Sequence, residues 1–366
     1  MKNIFHIAQT LFFISSLIYG GLGGQNFTFI TIILLWFTMT FLVLVFNKKN
    51  IRYPPGFYIY MIFLIFFALN LFWTKNFWST YWYLLIFSGG FFFWIIAYNL
   101  KNEFRHFDKL IIFIGVFFGV LAIVNHLKTP LLIDSFSLHK MATVDHHHIA
   151  DLWSVILLVI SIKLLSEKKF KLVWFALIPF GGYFIYFSKS RTALISLIAG
   201  IFYLVQNYNP VKKYFKVFML IIFLVTLIFF IFAKSKPTIP NRGYYLQGIA
   251  GVIRHPLGIG VGNFGVLSAD PENHLFGFSG YSSVGMNILM EIFAGMGFFG
   301  IIFLIWFIKV LTSVLKNNDE ETVIPKVIFL VLTINFMFDF AYLIPTMLWL
   351  WFISLGLSQK MTYKIP

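Results

Sequence analysis

Long apolar runs separated by short polar breaks dominate the chain. A membrane-spanning helix needs about 20 mostly apolar residues, and the chain divides into twelve runs that approach this length. They lie near residues 4–20, 27–46, 57–73, 81–98, 110–125, 152–165, 172–187, 192–205, 217–233, 288–311, 326–343 and 346–358. The runs lack the alternation of a membrane β-strand, and lipid cannot hydrogen-bond an open backbone. The pattern therefore predicts helices.

Composition excludes an ordinary soluble protein. Of the 366 residues, 60% are hydrophobic, 21% aromatic and only 11% charged, whereas a soluble domain carries about 25% charged residues. The predicted fold is an all-α polytopic membrane protein with about twelve transmembrane helices, and residues 1–366 form a single integral membrane domain. The chain has no Cys, which excludes disulfides, a thiolate nucleophile and Cys-ligated metals.

The basic residues predict the orientation. Under the twelve-span division, 19 of the 28 Lys and Arg residues fall on one side of the membrane and nine on the other. Cytoplasmic loops carry the excess of basic residues, so both termini are predicted to be cytoplasmic. Loop orientation also accounts for the net charge of +15, and we therefore expect no nucleic-acid binding.

Two long connections are predicted on the outer side, a medium loop at 126–151 and a large loop at 234–287. The other connections are short. Seven of the nine His residues fall on this outer side. Because long loops often carry function, the outer face is the predicted location of the chemistry.

Arginine is scarce, with five residues in the chain, and three of them are predicted to face outward: Arg191, Arg242 and Arg254. Arginine binds phosphate or carboxylate through two parallel hydrogen bonds, which lysine cannot reproduce. These three residues are therefore candidates for binding an anionic ligand. Lys189 lies beside Arg191 and adds a second cation at the membrane boundary. The structural alternative is a loop whose cations only flank two spans.

Histidines mark both long loops. The run HHHIAD at 146–151 contains His146 and His148, and three interpretations stay open: metal binding, proton transfer or sugar contact, and a wet interfacial loop. Adjacent His side chains point in different directions, which argues against a metal. In the large loop, His274 is a candidate general base, with an ordinary surface loop as the alternative. The Gly-rich run at 255–264 predicts a tight turn that allows a close approach of the backbone.

Two carboxylates lie in otherwise apolar runs. A carboxylate inside the membrane often marks a proton or ion pathway. Glu291 lies about one turn beyond the large loop, so solvent near the loop is expected to hydrate it. Asp339 follows Asn335 by four residues and is expected to hydrogen-bond a neighbouring helix.

Four groups of residues occur together, in order and with outward placement. They are HHHIAD at 146–151, SKSRTAL at 188–194, Arg242 followed by IRHPLGIGVGNF at 253–264, and NILMEIFAGMGFFG at 287–300. This arrangement resembles the O-antigen ligase and O-antigen polymerase superfamily. The resemblance covers about residues 140–310, and the first third of the chain is similar only in hydrophobicity.

The resemblance implies a glycosyltransferase of the bacterial cytoplasmic (inner) membrane. Such enzymes move a glycan from undecaprenyl pyrophosphate to an acceptor hydroxyl on the outer side, in polysaccharide or lipopolysaccharide assembly. They use no nucleotide sugar, cofactor or metal. By position, Arg191 matches the outward Ser-Arg motif, and Arg242 and Arg254 match basic positions of the large loop. Asn287 matches the second residue of a His-Asn pair.

One departure concerns the general base. Where many ligases carry His-Asn, this chain has Met286-Asn287. His274, or His146 or His148 from the other loop, is the candidate replacement. The acceptor is a growing glycan for a polymerase, a lipid A-core for a ligase and a protein for an O-oligosaccharyltransferase. The choice among these three enzyme types stays open. The rival class is a transporter or flippase of lipid-linked saccharide, although the related halves typical of carriers are not found.

Overall fold

The structure is a computed structural model that describes residues 51–104, 106–128, 146–166, 171–188, 190–207, 243–274 and 280–360. Within these residues the chain is helical and contains no β-strand. The predicted spans at 4–20, 27–46 and 217–233 lie outside the described residues, as do Lys189 and Arg242.

The described residues form twelve α-helices, which do not correspond one to one with the predicted spans. They are α1 (Phe57–Asn70), α2 (Phe77–Asn99), α3 (Phe107–Lys128), α4 (His146–Ser166), α5 (Lys171–Ser188), α6 (Arg191–Asn207), α7 (Tyr244–Arg254), α8 (Phe264–Ala269), α9 (Ile288–Met296), α10 (Gly300–Leu315), α11 (Val323–Phe338) and α12 (Pro345–Ser358). Short 3₁₀ turns join several of them.

Four helical stretches are long and apolar enough to cross a membrane: Phe77–Asn99, His148–Ser166, Ile288–Leu315 and Glu320–Phe338. Shorter apolar helices accompany them at Phe57–Asn70, Lys171–Tyr186, Arg191–Asn207 and Pro345–Ser358. The predicted all-α class is thus confirmed for the described residues, with four candidate membrane spans. The number of about twelve spans stays a prediction.

Local signals fix several helix starts. Asn76 caps α2 by accepting a hydrogen bond from the Ser79 amide at 3.2 Å. Ser190 caps α6 by accepting one from the Ala193 amide at 3.2 Å. A side-chain oxygen at this position satisfies an amide that the helix itself leaves unpaired. Pro345 occupies the first turn of α12, where its missing N–H costs nothing.

An aromatic core joins α1, α2, α10 and α12. The Tyr60 and Trp306 ring centroids are 4.5 Å apart, and Trp94 packs edge-on against Trp306 at 5.6 Å. The indole of Trp349 donates to the Ile86 carbonyl at 3.0 Å, which ties α12 to α2. Helices in lipid associate mainly through such packing and interhelical hydrogen bonds, so these contacts hold one half of the bundle together.

Helices α4 and α6 run parallel and pack against α11. The Ser154 and Ser196 hydroxyls lie 3.2 Å apart. One turn further along, Gly200 contacts both Leu158 of α4 and Val331 of α11. The register of the three helices is therefore fixed in the second half of the bundle.

The bundle has two distinct ends. We call "loop end" the end at which α1 and α11 finish and α2, α4, α6 and α12 begin; the segments 243–274 and 280–287 pack there. At the opposite end, the Lys101 ammonium donates to the Gln359 carbonyl and Lys163 pairs with Asp108. Burial lowers the pKa of Lys101, and the negative charge of Asp319 partly opposes this shift.

Candidate functional site

The Gly-rich turn at 255–264 closes against the chain itself. The Gly260 amide donates to the Gly295 carbonyl at 2.8 Å, and the Phe298 amide donates to the Pro256 carbonyl at 2.9 Å. On its other side, the Ile259 carbonyl accepts from the Lys75 amide at 2.9 Å. The predicted close backbone approach is therefore present, and the group approached is the backbone around residues 294–298.

Gly260 is required at the centre of this turn. Its φ of +97° lies in the region that favours glycine, and a Cβ there would overlap the Thr74 hydroxyl. That hydroxyl belongs to a polar network. In this network the side-chain Nδ2 of Asn263 donates to the Thr74 hydroxyl at 2.9 Å and to the Thr80 hydroxyl at 3.0 Å. The network anchors the turn to the start of α2.

Glu291 is buried beneath the turn, with 2% of its surface exposed. Oε1 accepts from the Gly262 amide at 2.9 Å, and Oε2 accepts from the Gly285 amide at 2.7 Å. The Tyr342 hydroxyl lies 3.4 Å from Oε2. The expectation that solvent hydrates Glu291 is therefore wrong: backbone amides replace water as hydrogen-bond donors to the buried carboxylate.

Asn287 caps α9. Its Oδ1 accepts from the Leu289 amide at 2.8 Å and from the Met290 amide at 3.2 Å, and its Nδ2 donates to the Met337 carbonyl at 2.7 Å. Both ends of the amide thus have structural partners, and substrate binding by Asn287 stays a prediction. The preceding Met286 has a φ of +49°, the left-handed region that non-glycine residues rarely adopt.

His274 lies at the end of the 3₁₀ turn Pro271–Asn273, partly buried. Its Nε2 is 3.1 Å from the Ser268 carbonyl. A carbonyl only accepts, so Nε2 carries the proton in the neutral ring and Nδ1 is the nitrogen able to accept one. Arg254 lies on the surface of the same segment, where its Nη1 is 3.2 Å from Glu272 Oε2.

Arg191 is the first residue of α6 and is partly buried. The Ser154–Ser196 and Leu158–Gly200 contacts place Arg191 level with Ile149 on the parallel helix α4. The first turns of α4 and α6 are thus neighbours at the loop end. Arg191 and His148, which belong to separate sequence motifs, therefore lie in the first turns of neighbouring helices.

His148 and Asp151 form a buried pair in the first turns of α4. Nδ1 of His148 is 3.6 Å from Asp151 Oδ2, and both side chains are fully buried. The Phe340 ring packs perpendicular to the imidazole at 4.8 Å. His146 begins the same helix, so the histidine run at 146–148 is the first helical turn and not part of a loop.

Sequence reasoning missed a buried polar layer below this pair. Ser154 and Ser196 belong to it, and the buried Asn335 lies on α11, one turn towards the loop end from Val331, which contacts Gly200 of α6. Within the described part of the chain, neither polar atom of the Asn335 side chain has a hydrogen-bond partner. Polar residues spaced three apart on α4, at 148, 151 and 154, are the signal that could have indicated this layer.

Residues 337–342 connect the two groups. Phe340 contacts His148, while Tyr342 reaches Glu291 and the Met337 carbonyl accepts from Asn287. Among the described residues, no three His, Cys, Asp or Glu side chains are placed to hold a metal ion. The arrangement therefore offers a guanidinium, imidazoles and polar amides at one end of the bundle, which suits anion binding and proton transfer.

Comparison of the chain with protein-family models, with curated proteins and with solved structures finds no match.

Proposed function

We propose that the protein is a membrane glycosyltransferase that moves a glycan from undecaprenyl pyrophosphate to an acceptor hydroxyl in surface polysaccharide or lipopolysaccharide assembly. The observation that carries the proposal is that α6, which begins with Arg191, and α4, whose first turns carry the His148–Asp151 pair, start as neighbours at the loop end. The motif resemblance adds to it. We expect the active face to be the outer face of a bacterial cytoplasmic membrane.

Arg191 suits the leaving group of this reaction. As the glycosidic bond to pyrophosphate breaks, negative charge accumulates on the phosphate oxygens. A preorganised guanidinium in a site of low dielectric stabilises that charge in the transition state. The first turn of α6 adds the positive end of a helix dipole at the same place. In this proposal Arg242 and Lys189 add further positive charge for the donor.

The imidazoles are suited to remove the proton of the acceptor hydroxyl. The acceptor oxygen attacks the anomeric carbon, the bond from that carbon to the pyrophosphate oxygen breaks, and undecaprenyl pyrophosphate leaves with the electron pair. The acceptor proton passes to an imidazole nitrogen and then to solvent. His274 offers Nδ1 for this step, and His148, with Asp151 beside it, is the second candidate base.

Transfer by the purified protein tests the proposal. The full-length chain in detergent or nanodiscs is given a synthetic polyprenyl-pyrophosphate glycan and either a glycan or a lipid A-core acceptor. Product that lengthens one acceptor supports the proposal and separates polymerase from ligase. No product with any acceptor, glycan, lipid or protein, from a protein that is folded and binds the donor would contradict it.

A carrier for lipid-linked saccharide is the second candidate. The buried polar layer of Asp151, Ser154, Ser196 and Asn335 favours it, because polar side chains between membrane helices often line substrate or ion pathways. Proteoliposomes separate the two functions. A carrier moves a labelled donor between leaflets without an acceptor, whereas a transferase consumes the donor only when the acceptor is present.

A further inference from the structure

Helix α1 exposes one continuous apolar stripe. Its members recur every three or four residues, which places them on one face of the helix. They are Tyr58, Ile62, Ile65, Leu69 and, just beyond the helix, Phe72. The opposite face of α1 is buried in the aromatic core. In a membrane protein, an outward stripe of this kind is the face that meets lipid.

Helix α10 exposes a second stripe next to the first. Phe298 and the α10 residues Ile301, Ile305 and Ile308 are all exposed, and α10 belongs to the stretch Ile288–Leu315 that is long and apolar enough to cross a membrane.

The two helices pack antiparallel. Their contacts are Tyr60 with Trp306, Phe63 with Phe303 and Phe66 with Phe299. Because the seam between the helices is filled by these rings, the two stripes flank it and form one apolar face.

Both stripes end at the turn after α7. The Trp73 indole donates to the Leu257 carbonyl at 3.0 Å, which joins the end of the α1 stripe to this turn. The Phe298 amide donates to the Pro256 carbonyl at 2.9 Å, which joins the α10 stripe to it. Leu257 itself is exposed. The apolar face therefore continues from the two helices onto the segment that follows α7.

Helix α7 extends this face. Its inner side carries the buried Gln247 and two glycines that pack closely: Gly248 faces Met290 and Gly251 faces Leu267. Its outer side carries Ile249 and Ile253, one turn apart, with Ile253 72% exposed. The Arg254–Glu272 ion pair lies at the end of the helix. A short helix with an apolar outer side and a charged end is typical of the membrane–water interface.

We propose that α7 is an interfacial helix whose isoleucines, together with Leu257, contact the acyl chains of the surrounding bilayer. The occupant is bilayer lipid, because the patch is continuous with the outward stripes of α1 and α10. Trp73, whose indole donates to the Leu257 carbonyl, is exposed beside the patch, and aromatic side chains favour the headgroup region. Part of the segment predicted as an outer loop thus lies in the membrane and not in water.

Site-directed spin labelling tests this inference without any transfer assay, so its failure is distinguishable from failure of the proposed function. The chain lacks Cys, and single variants I253C, I305C and E272C are labelled with a nitroxide in proteoliposomes. Collision rates with oxygen, which concentrates in lipid, and with a neutral nickel chelate, which stays in water, are compared. I305C is the lipid control, and E272C, at a position 77% exposed, is the aqueous control.

We expect the oxygen-to-nickel ratio at I253C to be severalfold above that at E272C and to approach that at I305C. A ratio equal to that at E272C would place α7 in water and overturn the inference. Low collision rates with both reagents would also overturn it, because another protein surface would then cover the isoleucines. All three positions are exposed, so the label replaces no buried packing.

Discussion

The backbone amide of Gly262 donates a hydrogen bond to Oε1 of Glu291 at 2.9 Å. The other oxygen of the same carboxylate accepts from the backbone amide of Gly285, in the segment that precedes α9. One buried side chain therefore ties the Gly-rich turn to the segment that leads into the candidate site. The backbone segments around Gly262 and Gly285 depend on this carboxylate for their relative position.

Replacing Glu291 by Gln tests that dependence. The amide retains one acceptor oxygen, but its NH₂ group faces a backbone N–H that also donates, which leaves a buried donor unpaired. We expect a loss of about 1–3 kcal/mol in the free energy of unfolding, measured by thermal unfolding of the purified protein in detergent. The control is Glu272→Gln at the surface, expected within about 0.5 kcal/mol of the wild type. Equal melting temperatures for both variants would contradict the structural role.

The apolar runs predicted most of the described helices, because a helix in lipid needs an uninterrupted apolar sequence. The run at 172–187 became α5 and the run at 192–205 became α6. The run at 288–311 is different, since the structure divides it at Gly297, where φ is +58°. The glycines at 295, 297 and 300 are the local signal for that break.

Long-range pairing was beyond sequence reasoning. Asn70 donates to the Gly295 carbonyl at 3.2 Å across 225 positions of sequence, and no local pattern identifies such a partner. The same holds for Glu291, whose hydration depends on which segments cover it. Arg191 and His148 belong to separate motifs, and only the register of α4 and α6 shows that their helices begin as neighbours at one end of the bundle.

Gly260→Ala is expected to disrupt the turn. The new methyl group would overlap the Thr74 hydroxyl, and the backbone would keep a φ that alanine rarely adopts. We expect little monodisperse protein in size-exclusion chromatography. The matched control is Gly182→Ala in α5, where no atom lies near the new methyl group; it is expected to be neutral or to stabilise by up to about 1 kcal/mol. Normal yield of Gly260→Ala would show that the turn tolerates rearrangement.

Orientation can be tested with single-Cys variants and an impermeant maleimide. Glu272→Cys is expected to be labelled in intact cells, or in spheroplasts if an outer membrane blocks access. Lys316→Cys, exposed at the opposite end of the bundle, is expected to react only after lysis. Ser268, within the large loop, is 1% exposed and makes an unsuitable reporter. The reverse pattern would contradict the predicted outward face and the proposed function with it.

Arg191→Lys tests anion binding by the guanidinium. Lysine retains the charge but loses the two parallel donors. We expect glycan transfer to fall by at least about tenfold, equivalent to roughly 1.4 kcal/mol of transition-state stabilisation. Arg52→Lys is the control, because Arg52 lies at the opposite end of the bundle beside Asn99. Wild-type transfer by a well-expressed Arg191→Lys variant would leave Arg191 with only a structural role at the start of α6.

An imidazole of the loop end is the expected general base for the acceptor hydroxyl. An imidazole base must be neutral to accept a proton, so the transfer rate should fall when the solution is acidified. We expect His274→Ala to impair transfer more than any single change among His146, His147 and His148. His106→Ala, exposed before α3, is the control and should leave the rate unchanged.

Chelation separates this acid–base mechanism from metal catalysis. Transfer is measured with and without EDTA, and we expect equal rates, because an imidazole base needs no metal. Loss of activity in EDTA and its recovery with zinc would overturn the mechanism and make the histidine run at 146–148 the candidate ligands. Undiminished transfer by His274→Ala would move the base to His148. In that case Asp151→Asn should also reduce transfer, because it removes the carboxylate that lies beside the imidazole.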